Sequence, residues 1–286
     1  DAQESRGLGD VYKRQIEEGD IVISAGTEAG TNKVEQGGTL KSENDTGTII
    51  TGKSDKNTVT IEAKNENDKV EVTLDNVNIK TTGGKAAVSV TGKGDTTIEL
   101  NGDNELSGSG AHAALEHNQT VDGEGNVTSG ELTIQDKDKN GSLTATGGIQ
   151  NGAGIGAGGY RVSSGKIEIT GGDITAIGGK SAAGIGGSGR GDADITISGG
   201  TIRATGGDQA AGIGGGTSGN GKVTITGGAV IEESIGGSSG AGATGGTGIG
   251  GGAGGHGTID ISGNAQVKNA LGKDCLLYTS DAADDR

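Results

Sequence analysis

An all-β solenoid is the fold class this sequence predicts: a parallel β-helix with three strands per coil and roughly 28 residues per coil. Three observations predict it. The block Ala-Ala-Gly-Ile-Gly-Gly stands at 182–187 and again at 210–215, with weaker copies at 152–156 and 246–251. Its isoleucines, Ile155, Ile185, Ile213 and Ile249, recur at intervals of 30, 28 and 36 residues. Between the blocks the apolar residues alternate in short runs, which is the pattern of a strand with one face buried, and no stretch carries the helical period.

Three kinds of segment follow one another in fixed order. The first is the alternating pair Val72/Leu74, Ile98/Leu100, Leu132/Ile134, Ile167/Ile169, Ile195/Ile197, Val223/Ile225 and Ile259/Ile261. The second follows a turn: Val77/Ile79, Leu106, Leu143/Ala145, Ile174/Ala176, Ile202/Ala204, Val230 and Val267. The third is the glycine-rich block and its equivalents: Val88/Val90, Ala113/Leu115, Ala153/Ile155, Ala183/Ile185, Ala211/Ile213 and Ile249. Strands of one kind are expected to stack at about 4.8 Å, so the aliphatics form inward ladders. The runs Ile21/Ile23, Ile49/Ile50 and Val59/Ile61 read as one or two further coils of poorer register.

The corners differ. Gly-Gly pairs at 171–172, 199–200 and 227–228 suit tight turns that need positive φ. The corner between third and first strands varies most in length, at 116–130, 156–165 and 250–257. Insertions gathered on one edge are where repeat proteins place binding surfaces.

The two ends read differently from the rest. Asp10-Val11-Tyr12-Lys13-Arg14-Gln15 back-translates to an oligonucleotide whose reverse complement encodes Cys275-Leu276-Leu277-Tyr278-Thr279-Ser280. Both ends thus resemble translated sequencing adapters, and residues 1–15 and 275–286 are set aside from fold reasoning. The expected organisation is irregular N-terminal coils over 16–70 and a parallel β-helix over 71–274. The single cysteine falls in an excluded end, which leaves neither a disulfide framework nor thiol chemistry.

Sixty-four glycines, no proline, phenylalanine or tryptophan and 29% hydrophobic residues would suggest disorder by composition alone. The ordered alternation argues otherwise, since a narrow solenoid buries a few aliphatics per coil and needs no aromatic bulk. The net charge of −15 argues against nucleic acid and anionic membranes as partners. No apolar run approaches the length of a membrane span.

From about Val70 to Asp274 the text resembles bacterial cell-surface proteins built on a right-handed parallel β-helix. The segment 72–79, Val-Thr-Leu-Asp-Asn-Val-Asn-Ile, is similar to the opening of a clostridial-type carbohydrate-binding β-helix family associated with acidic polysaccharide and calcium. The blocks at 182–187 and 210–215 resemble adhesin-like wall proteins of gut bacteria. The resemblance implies right-handedness, an extracellular or cell-wall-attached location, and a polysaccharide or host-surface glycan as partner.

Asp136-Lys137-Asp138-Lys139-Asn140-Gly141 is the front half of a calcium loop, with oxygens on alternate residues and a glycine for the turn. Position twelve is Gly147, so a neighbouring coil must complete the set. Asp103 and Asp173 stand at the equivalent corners, which makes Asp136, Asp138, Asn140, Asp103 and Asp173 the candidate calcium ligands. Gly255-His256-Gly257 echoes a polygalacturonase motif without its aspartates, and Arg203 lacks the acidic cluster that a lyase base requires. His112 and His117 fall in a loop without evident partners. The expectation is therefore a non-catalytic surface or adhesion protein with a stalk or carbohydrate-binding role. The alternatives are a calcium-dependent module for acidic polysaccharide and, behind it, a polysaccharide lyase or hydrolase.

Overall fold

A computed structural model of the chain describes residues 13–238 and 244–272. Residues 1–12 and 275–286 of the two adapter-like ends lie outside the described residues. Lys13–Gln15 form a short strand parallel to Ile49–Ser54. The protein is all-β: apart from one 3-10 turn at Ile16–Glu18, every regular element among the described residues is a strand.

Sixteen strands make one sheet and ten another. The larger sheet branches from Lys69–Lys80, a 12-residue strand. Its N-terminal half pairs with Asp95–Asn101 and its C-terminal half with Asp103–Ser107, so two parallel runs of strands leave one root. The smaller sheet contains a third parallel run, from Ile21–Ala25 through Val59–Ala63, Val88–Gly92 and Leu115–His117 to Ile249–Gly250.

Period-two alternation explains the core. In the third run Ile21, Val59, Val88, Leu115, Ile155, Ile185, Ile213 and Ile249 are successive register partners, all buried. The predicted ladder 155–185–213–249 is therefore present and extends four strands further toward the N-terminus than its glycine-rich motif. The block itself has a steric reason. Gly156, Gly186, Gly214 and Gly250 form a column with φ between 119° and 135°, a region closed to other residues. A Cβ on any of the first three would run into the carbonyl oxygen of the next glycine in the column.

Three registers differ from the sequence-based expectation. In the third run Val88 pairs with Leu115, not Ala113, which puts His117 opposite Val90. Ile98 pairs with Ile134, not Leu132, and Thr96 takes the place opposite Leu132. The corner sets this register, because Asp95 Oδ1 accepts the Glu131 N–H at 3.1 Å. Thr96 is consequently fully buried among Val70, Leu132 and Ile167 in one column, and its hydroxyl has no partner. In the second run Ile202 pairs with Ile231, not Val230, because the turn from Ile225 to Ile231 is one residue longer than that from Ile197 to Ile202, and a bulge follows this pair. Ser234 ends up opposite Ala204, buried, with its hydroxyl donating to Gly248 O at 2.6 Å.

The segment expected to hold irregular coils does two things. Ile21–Ala25 continues the parallel run against Val59–Ala63. On its other edge it pairs antiparallel with Asn32–Gln36, which in turn pairs antiparallel with Thr39–Asp45. This meander covers one end of the smaller sheet and buries Val34. At the opposite end the aliphatics of Gly257–Ile261 are open, with Ile259 and Ile261 at 40% and 41% exposure.

Candidate functional site

Two corners hold the polar side chains that face solvent in order. The first is the acidic corner that carries the candidate calcium ligands. Asp103, Ser142 and Asp173 share one register column. Asp103 and Asp173 are thus two strand spacings apart, on the order of 10 Å along the column. Ser142 bridges inward by donating its hydroxyl to Asp103 Oδ1 at 2.9 Å. Asp173 faces the other way and pairs with Arg203 at 2.8 Å.

Asp136 closes its own loop. Its two carboxylate oxygens accept the Asn140 N–H at 3.2 Å and the Gly141 N–H at 3.1 Å, a side-chain turn typical of aspartate. Lys139 takes the left-handed conformation at φ 57° to complete the turn. Asp138 and Asn140 are exposed. Lys137 reaches back to Glu71 at 3.1 Å and Glu99 at 3.9 Å. The hydrogen bond it donates to Glu71 raises its pKa above the ordinary lysine value. The structure brings Asp103 and Ser142 together and keeps Asp136, Asp138 and Asn140 within their own turn. Among the described residues no three His, Cys, Asp or Glu side chains converge on one point. A shallow groove of about 450 Å³ runs beside Asp103, lined by Asn76, Asn78, Glu105, Ser142 and Thr144 among others.

The second is the variable corner, between the third and first runs. Here sequence reasoning placed insertions but missed a chain of side-chain caps. Ser163 Oγ accepts the Asp192 N–H at 3.1 Å, Asp192 Oδ1 accepts the Asn220 N–H at 2.7 Å, and Asn220 Oδ1 accepts the His256 N–H at 2.9 Å. Each repeat thus satisfies a backbone donor of the next. The signal was available, since a polar residue recurs at 163, 192, 220 and 256 with nearly the spacing of the isoleucines. An open groove of about 490 Å³ passes over these residues, with Gln119, Asp194 and Lys222 also on its walls.

The histidines have partners after all. His112 Nδ1 lies 2.9 Å from Glu116 Oε2, which also accepts the Ala113 N–H at 3.1 Å. His117 belongs to the strand Leu115–His117 and is buried, its ring between Val90 O at 3.4 Å and Gly130 O at 3.0 Å. Burial pushes its pKa below the usual histidine value, against the opposing pull of those two carbonyls. A neutral imidazole carries one N–H and can donate to only one of these two carbonyls.

No protein-family model matches this chain, and no curated protein or solved structure matches it either.

Proposed function

We propose that the chain is a right-handed parallel β-helix with three strands to a coil. In this reading it works as a non-catalytic rod of an extracellular or wall-attached bacterial protein, and its ordered polar corners face glycans. The observation that supports this reading is the common step of all three parallel runs. Ile167 to Ile195, Ile174 to Ile202 and Ile185 to Ile213 are register partners, each separated by 28 residues. Three runs advancing together are what one chain gives when it winds around one axis. Parallel strands joined within a sheet by a long connection are right-handed in nearly all known cases. Eight register partners at about 4.8 Å would make a rod some 34 Å long in the smaller sheet.

A crystal structure tests the winding: one right-handed helix with three strands to a coil is expected, and a left-handed winding or two separate sheets would overturn it. Incubation with a panel of wall and plant polysaccharides tests the chemistry, with retention on one or more polymers expected and no release of reducing ends or unsaturated products. Turnover of any polymer would favour the lyase or hydrolase reading. Calcium-assisted binding of acidic polysaccharide is a second reading, favoured by the groove that Asp103 and Glu105 line. Its mark would be retention on polygalacturonate that a chelator abolishes.

A further inference from the structure

Tyr160 is the sole aromatic residue among those described, and it is 55% exposed. Two guanidinium groups lie over its ring, Arg161 at 5.6 Å and Arg190 at 6.0 Å from the centroid. The two arginines come from adjacent repeats. Tyr160 bridges in parallel to Gly189, and the Arg161 N–H donates to Gly189 O at 2.7 Å. The same step recurs onward, with the Arg190 N–H donating to Thr217 O and the Ser218 N–H to Ala253 O. Positions 161, 190 and 218 are therefore one column of equivalent turn residues.

That column makes the pair anomalous. Arg161, Arg190 and Ser218 all sit at φ between 59° and 64°, a conformation that costs any residue with a Cβ. Serine satisfies the turn at 218, so the backbone does not call for arginine at the other two. Like charges opposite one another on neighbouring strands repel. In a chain of net charge −15 an acid could neutralise them. Arg14 and Arg203 each have a carboxylate partner, whereas Arg161 and Arg190 have none among the described residues. Two exposed guanidiniums over one ring, with no carboxylate to offset their repulsion, are what an anion would complete.

Deepening the glycan-facing reading above, on which it rests, we infer that Tyr160, Arg161 and Arg190 form a site for a saccharide bearing a sulfate ester. Two guanidiniums on adjacent strands offer more donors than the two oxygens of one carboxylate can accept, and match the three terminal oxygens of a sulfate ester. A guanidinium is more weakly hydrated than an ammonium, so its pairing with an oxyanion loses less to water. A singly charged ester also enters this acidic envelope against less repulsion than a phosphate monoester. The ring of Tyr160 holds the guanidiniums in place from its face. Its exposed remainder offers an apolar edge to a sugar ring, and Asn151 and Ser181, which flank Gly189 beside it, offer an amide and a hydroxyl. Gly189 keeps the seat open, since a Cβ there would stand 2.8 Å from Asn151 Oδ1 and 3.3 Å from Tyr160 Cδ2.

Calorimetric titration of the full chain tests this, with a κ-carrageenan tetrasaccharide, its desulfated counterpart, tetragalacturonate and sodium sulfate as probes. The sulfated tetrasaccharide is expected to bind at least tenfold tighter than the other three. Arg161→Gln with Arg190→Gln should weaken it at least tenfold, and Tyr160→Ala severalfold, with circular dichroism unchanged because all three side chains are exposed. Equal binding of the desulfated sugar, preference for tetragalacturonate, no binding of any probe at millimolar concentration, or an unaltered affinity in the double arginine variant would each overturn the site. Polysaccharide retention that persists in the double variant would leave the glycan-facing rod standing while this site falls.

Discussion

Gly186→Ala and Gly228→Ala are chemically the same change and should have opposite effects. At Gly186 φ is +131°, where an L-residue costs about 1–3 kcal/mol. The added Cβ would also overlap the Gly214 carbonyl oxygen and approach Ala193 Cβ at 2.9 Å. That oxygen accepts the Gly187 N–H at 2.9 Å, so relieving the overlap weakens a buried hydrogen bond at a further cost of about 1 kcal/mol. The total is on the order of 2–4 kcal/mol. At Gly228 a Cβ meets nothing within 4 Å and φ lies outside the left-handed range. There alanine should be neutral or stabilise by up to about 1 kcal/mol by narrowing the unfolded ensemble. Urea unfolding followed by circular dichroism reads both. With a slope of about 1–3 kcal/mol/M, Gly186→Ala lowers the midpoint by on the order of 1 M or more at constant slope. A Gly186→Ala midpoint within error of the parent, or a Gly228→Ala protein equally damaged, would refute the steric account of the glycine column.

Thr96→Val should stabilise by about 1 kcal/mol, because a fully buried hydroxyl without a partner is exchanged for a methyl of the same shape; a lower melting temperature would show that the hydroxyl is satisfied in solution. His117 has a lowered pKa in the folded state, so the unfolded chain takes up its proton first and stability falls as pH drops below about 6.5 toward the folded value. Glu168 opposes this at lower pH, since burial and then Glu131 raise its pKa and favour the folded state as it protonates. His117→Gln should flatten the fall in melting temperature between about pH 6.5 and 5.5, and an unchanged slope would count against burial as the cause. Asp136→Ala should cost about 1 kcal/mol through loss of the two amide hydrogen bonds in its loop. That cost is expected to be the same with calcium or with chelator, and a calcium-dependent difference in the melting curves would place the ion in the loop.

Most of the fold was legible because period-two alternation and the spacing of Ile155, Ile185, Ile213 and Ile249 report core-facing positions directly. Where the reading slipped, an alternating run was longer than the column it fed. Thr96, Ile98 and Leu100 offer two possible pairs, and only the Asp95 cap on Glu131 chooses between them. Val230 and Ile231 are adjacent, and one extra residue in the turn after Ile225, which apolar counting does not register, decides which one turns inward. The surfaces were less legible. The loop from Asp136 to Gly141 has the oxygen spacing of a cation site, yet Asp136 spends its oxygens on its own backbone. The juxtaposition of Arg161 and Arg190 depends on a 29-residue offset that becomes meaningful only once the turn columns are aligned.

The equal 28-residue step in all three runs makes length a modular quantity. Excising residues 186–213 removes one full step from each run and would stack Ile167 on Val223, Ile174 on Ile231 and the position of Ile185 on Ile249, while Ala176 would meet Ser234 as Ala204 does now. The shortened protein should fold and lose about 4.8 Å of reach. Unequal recombination between such in-frame copies could therefore lengthen or shorten the molecule by whole increments without redesigning a single contact, so that its span is counted in copies while its cross-section stays fixed.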